Sequence, residues 1–206
     1  MQDNYQLQAL HARQTFLNYD QDKIIRKCGL AFDRDYLYCR FFSELCRISR
    51  QTGEISRQHG TRWLPADTHG EVMTLLDLLC DSSPHRHPAG HLQNMQSFGH
   101  QFHQSLNEDQ KNPFAARFQA DPESLRRACR QLGGTPFSPG DVAYSIPVFE
   151  ELTLTLQFFL GDEEFAPRLR CLWDENALQY LKYETMYFCV DVLMARIQEA
   201  IRENDL

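Results

Sequence analysis

With 206 residues, of which 42% are hydrophobic and 24% charged, the chain can bury a core of its own without staples, which excludes an intrinsically disordered protein. A formal charge of −7 excludes a duplex nucleic-acid partner, because neutralising phosphates takes a basic face that releases counterions. The seven cysteines (Cys28, Cys39, Cys46, Cys80, Cys129, Cys171 and Cys189) form no C-x-x-C pair and mostly fall in apolar runs, the pattern of free thiols in a reducing compartment rather than of disulfides, structural zinc or an iron–sulfur cluster.

In chain order, Met1 to Tyr5 shows no basic region followed by an apolar stretch, so no signal peptide is expected. No apolar run reaches the length needed to span a bilayer, which leaves the cytoplasm as the expected location. Tyr5 to Phe16 carries Leu7, Leu10 and Phe16 among polar residues and is predicted to be a short amphipathic helix. A second helix is predicted from Asp20 to Lys27, stopped by Cys28-Gly29. Tyr36–Phe42 is aromatic and strand-like, and Leu45–Ser49 and Glu54–Ser56 flank a hairpin turn at Gln51-Thr52-Gly53. The period then changes. Val72, Leu75, Leu76 and Leu79 fall at helical spacing within His69–Cys80, whereas Asp81–His91 has the proline, serine and histidine content of a loop.

Leu92–Asn112 shows no clear period; Pro113–Phe118 and Pro122–Leu132 are predicted short helices, the second ending at Gly133-Gly134. Val142, Tyr144, Ile146 and Val148 alternate, as do Leu152, Leu154, Leu156, Phe158 and Leu160, with Thr153, Thr155 and Gln157 on the opposite face of a half-buried strand. Leu169, Cys171 and Trp173 repeat the alternation. From Asn176 the period returns to helical through Leu178, Leu181, Met186, Val190, Leu193, Ile197 and Ile201. These elements predict one α+β domain over residues 1–206, in which the N-terminal hairpin region and the C-terminal strands build an antiparallel sheet flanked by helices, with the long final helix packed on it.

The segment Gly161-Asp162-Glu163-Glu164-Phe165 lies where the last two strands turn. Asp162, Glu163 and Glu164 offer hard oxygen ligands of the kind that magnesium, calcium or manganese accept. Successive residues of an extended segment point in different directions, however, so three in a row rarely converge on one ion. Convergence needs carboxylates from elsewhere, and Asp174 and Glu184 are the candidates. If the flanking strands form a hairpin, Asp174 sits at the far end of the second strand, which weakens a shared site. A run of charges is ordinarily a solvated tip.

His85, His87, His91, His100 and His103 could supply imidazoles to zinc, nickel or iron, the last two sharing a face if their segment is helical. No H-E-x-x-H arrangement is present, and histidines in a polar loop are commonly solvent-facing. Nucleophile elbow and phosphate-loop motifs are absent, and no cysteine has an adjacent base. Arg126, Arg127 and Arg130 form a local basic stripe, ordinarily a solvated helix face. Tyr36, Tyr38, Phe41 and Phe42 invite comparison with base-stacking strands, but in an acidic chain such aromatics are expected to fill the core.

The series Leu132-Gly133-Gly134-Thr135-Pro136, Gly140-Asp141-Val142-Ala143, Ile146-Pro147, Gly161-Asp162-Glu163-Glu164-Phe165, Leu172-Trp173-Asp174, Tyr180-Leu181 and Glu184 resembles an uncharacterised prokaryotic family, a domain of unknown function frequent in anaerobic bacteria and archaea. The resemblance runs from about Leu132 to Arg196. It implies a polar set for ligand binding made of Asp141, Asp162, Glu163, Glu164, Phe165, Asp174 and Glu184, and it implies no activity. In some relatives a similar domain is joined to an iron–sulfur segment, for which this chain lacks the cysteine spacing. Two departures stand out. Ala166 precedes Pro167 where relatives place the proline directly, and Lys182-Tyr183 replaces a helix-breaking proline, so the final helix is expected to run on with only a kink.

Composition and resemblance together favour a cytoplasmic binding or accessory protein with a small-molecule or protein partner in anaerobic metabolism. The alternatives are a divalent-metal-dependent enzyme using the acidic loop carboxylates, and an oligomeric scaffold in which the aromatic strand surface joins copies of the chain. No cofactor is legible, and neither a membrane nor duplex nucleic acid is an expected partner.

Overall fold

The computed structural model describes residues 4–99 and 114–204, and the chain divides into two compact units, Met1–His87 with Asn176–Val192 and Pro88–Glu175 with Leu193–Leu206. The fold is α+β, with two antiparallel five-stranded sheets and a long C-terminal helix. The single sheet expected to join N-terminal and C-terminal strands is therefore two sheets. Each is closed largely by sequence-local hairpins, so neither needs strands from the other half of the chain.

The first unit opens with helices α1 (Asn4–Asn18) and α2 (Gln21–Cys28). Asp20 starts α2 by accepting from the backbone N–H groups of Asp22 and Lys23, both at 3.1 Å. Strands β1 (Ala31–Phe32), β2 (Tyr36–Phe41), β3 (Glu44–Ser49), β4 (Ile55–His59) and β5 (Arg62–Pro65) follow as a meander in that order. Strand β2 stops one residue short of the expected Phe42. Phe42 (φ 49°) and Ser43 (φ 65°) make a two-residue turn with both central residues left-handed, a geometry that asparagine and glycine usually take. The Phe42 ring is fully buried, and that burial offsets the strained backbone.

Helix α3 (His69–Cys80) begins with a capping box: Thr68 Oγ1 accepts from the Glu71 N–H, and the Glu71 carboxylate accepts from the Thr68 N–H at 3.2 Å. Phe16, Ile24, Leu37, Ile48, Leu75, Leu78 and Leu79 fill the core of this unit. Only half of the aromatic run joins them. Phe41 and Phe42 are buried, whereas Tyr36 and Tyr38 point to the other face of the sheet and remain half-buried, because alternate residues of a strand face opposite ways.

The second unit contains β6 (Leu92–Asn94), a 3₁₀ turn over Met95–Phe98, α4 (Ala115–Ala120), α5 (Pro122–Gln131), β7 (Thr135–Pro136), β8 (Val142–Phe149), β9 (Leu152–Phe159) and β10 (Arg168–Asp174). Its sheet has the order β6-β10-β9-β8-β7. Pro122 sits in the first turn of α5, Asp121 caps it through the Ser124 N–H at 3.0 Å, and the Gly134 N–H closes it on the Cys129 carbonyl at 2.8 Å. A Cβ on Gly134 would lie 2.7 Å from that same carbonyl, so the stop requires glycine. Leu154, Leu156, Phe158, Leu169, Cys171 and Trp173 form the expected inward face. The opposite face of β9 departs from expectation, since Thr155 and Gln157 are buried as well. Gln157 donates to the Pro139 carbonyl at 2.9 Å, and the loop before β8 thereby covers that face.

Helix α6 (Tyr183–Asn204) contacts helices and sheet, burying Met186 and Cys189 in the first unit and Leu193, Ile197 and Ile201 in the second. It does not run on from Asn176. A 3₁₀ turn (Ala177–Gln179) comes first, and the Lys182 N–H, which a continuous helix would direct at the Leu178 carbonyl, donates instead to Asp77 at 2.8 Å. A buried carboxylate of α3 thus interrupts the helix.

Candidate functional site

The register Arg168↔Phe159 makes β9 and β10 a hairpin whose connection, residues 160–167, contains the acidic motif. Phe118 fixes the neighbouring helix. Its ring meets Phe158 edge-on, with centroids 5.9 Å apart and both side chains fully buried, which brings α4 against the end of β9. The next residue, Gln119, then reaches the loop. Its Oε1 accepts from the Gly161 N–H at 2.7 Å, and its Nε2 donates to the Gly161 carbonyl at 3.2 Å. Asp141 braces the preceding residue, its carboxylate accepting from the Leu160 N–H at 2.8 Å.

Inside the loop the chain folds back on itself. The Asp162 N–H donates to the Phe165 carbonyl at 2.9 Å, and Asp162 Oδ1 accepts from the N–H groups of Phe165 at 2.8 Å and Glu164 at 2.9 Å. Gly161 permits the closure, because a Cβ there would lie 2.7 Å from the ring of Pro167 and 2.8 Å from the Phe165 carbonyl. The backbone N–H groups of Phe165 and then Glu164 hold the Asp162 carboxyl below the usual carboxylate range.

The three acidic residues therefore divide. Asp162 is committed to the backbone of its own loop, and Glu163 and Glu164 are exposed. Phe165, 69% exposed, stands beside them at the rim of an open concavity of about 600 Å³ lined by Gln119 and residues 161–167. Asp162→Ala is expected to accelerate amide hydrogen exchange at Glu164 and Phe165 at neutral pH while leaving β9 protected. A folded-state pKa below the unfolded value of about 3.9 stabilises the closed loop above that value. The closure is lost as pH falls through the depressed folded-state pKa. Unchanged exchange in the variant would show that the carboxylate does not hold the turn.

The other candidates lie apart. Asp174 ends β10, opposite the loop end of that strand, and is buried; its two oxygens accept from the N–H groups of Ala89 and Gly90, each at 2.8 Å. Glu184 is exposed in the first turn of α6 and belongs to the first unit. His85, His87 and His91 are exposed, with His87 Nδ1 donating to the His85 carbonyl at 3.0 Å. His100 and His103 lie outside the described residues. Among the described residues no group of three or more His, Cys, Asp or Glu side chains is arranged to hold a metal ion. The arginine stripe is also engaged, Arg126 pairing with Glu123 at 2.9 Å and Arg127 with Asp121 at 3.9 Å. Gln119 was not legible as part of the site: it lies 42 residues from Gly161, and nothing in its local sequence marks it.

A second polar cluster, in the first unit, likewise escaped the sequence. Lys182 Nζ pairs with Asp77 at 3.3 Å and donates to Asp81, which also accepts from the Tyr19 hydroxyl. The hydrogen bond to Asp81 pushes the Tyr19 phenol up to about 12 and raises Lys182. Burial works to raise Asp81, but the hydrogen bonds from Lys182 and Tyr19 outweigh it and leave it lowered. For Tyr19 and Lys182, raised folded-state values mean stability that is complete below about pH 10 and lost as pH rises beyond it. Urea titrations at pH 8 and pH 11 are expected to show that loss in the wild type and a smaller one in Tyr19→Phe. Equal losses in both proteins would remove Tyr19 from the linkage.

Compared with known proteins, residues 20–196 match the model of one family, described as Domain of unknown function (DUF3786). No curated protein and no solved structure matches the chain.

Proposed function

The chain belongs to that family of unknown function, and from this premise we propose that it is a cytoplasmic binding or accessory protein which engages a protein partner through the tip Glu163-Glu164-Phe165. One observation carries the proposal. A large apolar ring is held out in solvent, 69% exposed, on a loop whose backbone is fixed by Gln119, Asp141 and Asp162. Bracing a loop in advance lowers the ordering cost of association, and aromatic side chains, phenylalanine included, are enriched at protein–protein interfaces. The cytoplasmic setting is supported by cysteines that, apart from Cys80, are buried among apolar side chains, with burial pushing the Cys80 and Cys129 thiols up to about 12. An enzyme built on the loop carboxylates finds less support, because Asp162 is already spent on the turn.

The test is site-specific photo-cross-linking in the native host. A benzophenone amino acid at position 165 is expected to give a discrete protein adduct that is lost when Glu163→Lys and Glu164→Lys are added, whereas the same probe at exposed Leu178 gives none. No adduct at 165, or the same adducts from both positions, would overturn the proposal. A thermal-shift response to nucleotides, corrinoids or flavins that Phe165→Ala abolishes would transfer the tip to a small-molecule ligand.

A further inference from the structure

The outward face of the first sheet carries a surface that the acidic loop does not use. There β2 presents Tyr36, Tyr38 and Arg40, β3 presents Leu45, Arg47 and Ser49, and Trp63 reaches across from β5. The guanidinium carbon of Arg47 lies 4.4 Å from the Tyr36 ring centroid and 4.3 Å from that of Trp63, so the side chain is clamped between two aromatic faces. Tyr38 completes the cluster, 6.3 Å from Tyr36 and 6.4 Å from Trp63. Clamping orients the planar fork while leaving its terminal N–H groups available, the preorganised state in which arginine recognises an anion.

That anion is not supplied internally. Among the described residues Arg47 makes no ion pair, and the outward positions of β2 and β3 hold no carboxylate. Of the nearby acids, Glu44 lies on the inward face and Asp33 borders the cluster, each already held by another partner. Glu44 pairs with Arg57 at 3.0 Å, and Asp33 accepts from the Tyr38 hydroxyl at 2.7 Å and from the N–H groups of Asp35 and Tyr36. Residues 31–65 contain six arginines against four carboxylates, in a chain whose formal charge is −7. The face is thus locally cationic and ring-bearing, with Leu45 the sole aliphatic side chain among those outward positions of β2 and β3.

We propose that this face binds single-stranded nucleic acid, its bases packing on Tyr36, Tyr38 and Trp63 and its phosphates meeting Arg47 and Arg40. Rings beside cations on a sheet surface suit unstacked bases and phosphates. Protein–protein interfaces also favour tyrosine, tryptophan and arginine, but two guanidinium groups among rings, with no carboxylate at the outward positions of β2 and β3, complement a phosphate chain, and a duplex hides the base faces that rings stack on. The acidic remainder of the chain limits affinity, so binding is micromolar at low salt and falls steeply as salt is added.

The test is fluorescence anisotropy of the full chain with 5′-labelled twelve-nucleotide dT and U strands at low ionic strength. The expected result is saturable binding, weakened about tenfold or more by Arg47→Ala and by Trp63→Ala, less by Arg40→Ala, and unchanged by Arg127→Ala. Arg40 is exposed, so its variant keeps the test informative if a clamp variant misfolds. No binding at 100 μM protein would overturn the proposal, as would equal loss with Arg127→Ala, tighter binding of a duplex, or displacement of the strand by an oligoglutamate peptide at equal charge. Because Phe165 takes no part, the outcome is independent of the tip's partner.

Discussion

Asp174→Ala is expected to lower the stability of the second unit by about 2–3 kcal/mol, a melting shift of roughly 5–10 °C. The wild-type carboxylate is buried at the end of β10 and spends both oxygens on the N–H groups of Ala89 and Gly90, each at 2.8 Å. Alanine removes two charge-assisted hydrogen bonds at once. Ala89 and Gly90 are themselves exposed, so water can reach the freed N–H groups, which keeps the cost below the sum of two buried losses. Asp174→Asn retains one acceptor oxygen and should lose about half as much. The chain has two tryptophans, Trp63 in the first unit and Trp173 beside Asp174 in the second. In a Trp63→Phe background, the fluorescence of Trp173 during urea unfolding reports on the second unit directly. A loss below about 1 kcal/mol in the alanine variant would show that the carboxylate is not structural, and would return Asp174 to the ligand-binding candidates.

Trp173→Ala is expected to cost more, roughly 3–5 kcal/mol, because a fully buried indole leaves a cavity that the surrounding strands fill only partly. The Trp173 side chain shares the inward face of the sheet with Leu154, its partner across the β9–β10 ladder, and with Cys171 and Leu169. The informative comparison is Trp173→Phe. The indole Nε1–H is buried and meets no acceptor among the described residues, so replacing it forfeits volume but no hydrogen bond. The phenylalanine variant should therefore lose about 1–2 kcal/mol. Guanidinium unfolding followed by far-ultraviolet circular dichroism measures both. A loss well above about 2 kcal/mol in the phenylalanine variant would mean that the indole N–H is satisfied after all.

Where local chemistry decided the outcome, the sequence was sufficient. Helix α3 occupies the predicted His69–Cys80, because Thr68 and Glu71 cap it and its apolar stripe has one period. The β9–β10 hairpin and its exposed acidic tip also followed from strict alternation interrupted by Gly161 to Phe165. The family resemblance, read from about Leu132 onward, was correct in kind but short in extent, since the family match begins at residue 20. Alternation and capping act over a few residues, and a few residues suffice to read them.

What failed was long-range. The division of the strands into two sheets depends on which edges meet, and no strand's own pattern records that. The buried polar face of β9 depends on a loop that folds back over Thr155 and Gln157. The start of α6 depends on Asp77, 105 residues earlier in the chain, capturing the Lys182 N–H. The candidate sites divide in the same way. Sequence alone determined that acidic residues and a phenylalanine cluster at one hairpin tip, and that Tyr36 and Tyr38 share a face of one strand. Tertiary structure alone decided that Asp162 serves the loop while Phe165 faces solvent, and that Trp63 closes with Tyr36 on Arg47. A side chain's role is fixed by the partners that reach it. For Gln119, Asp77 and Trp63 those partners come from other elements of the chain, so composition and periodicity carry no trace of them.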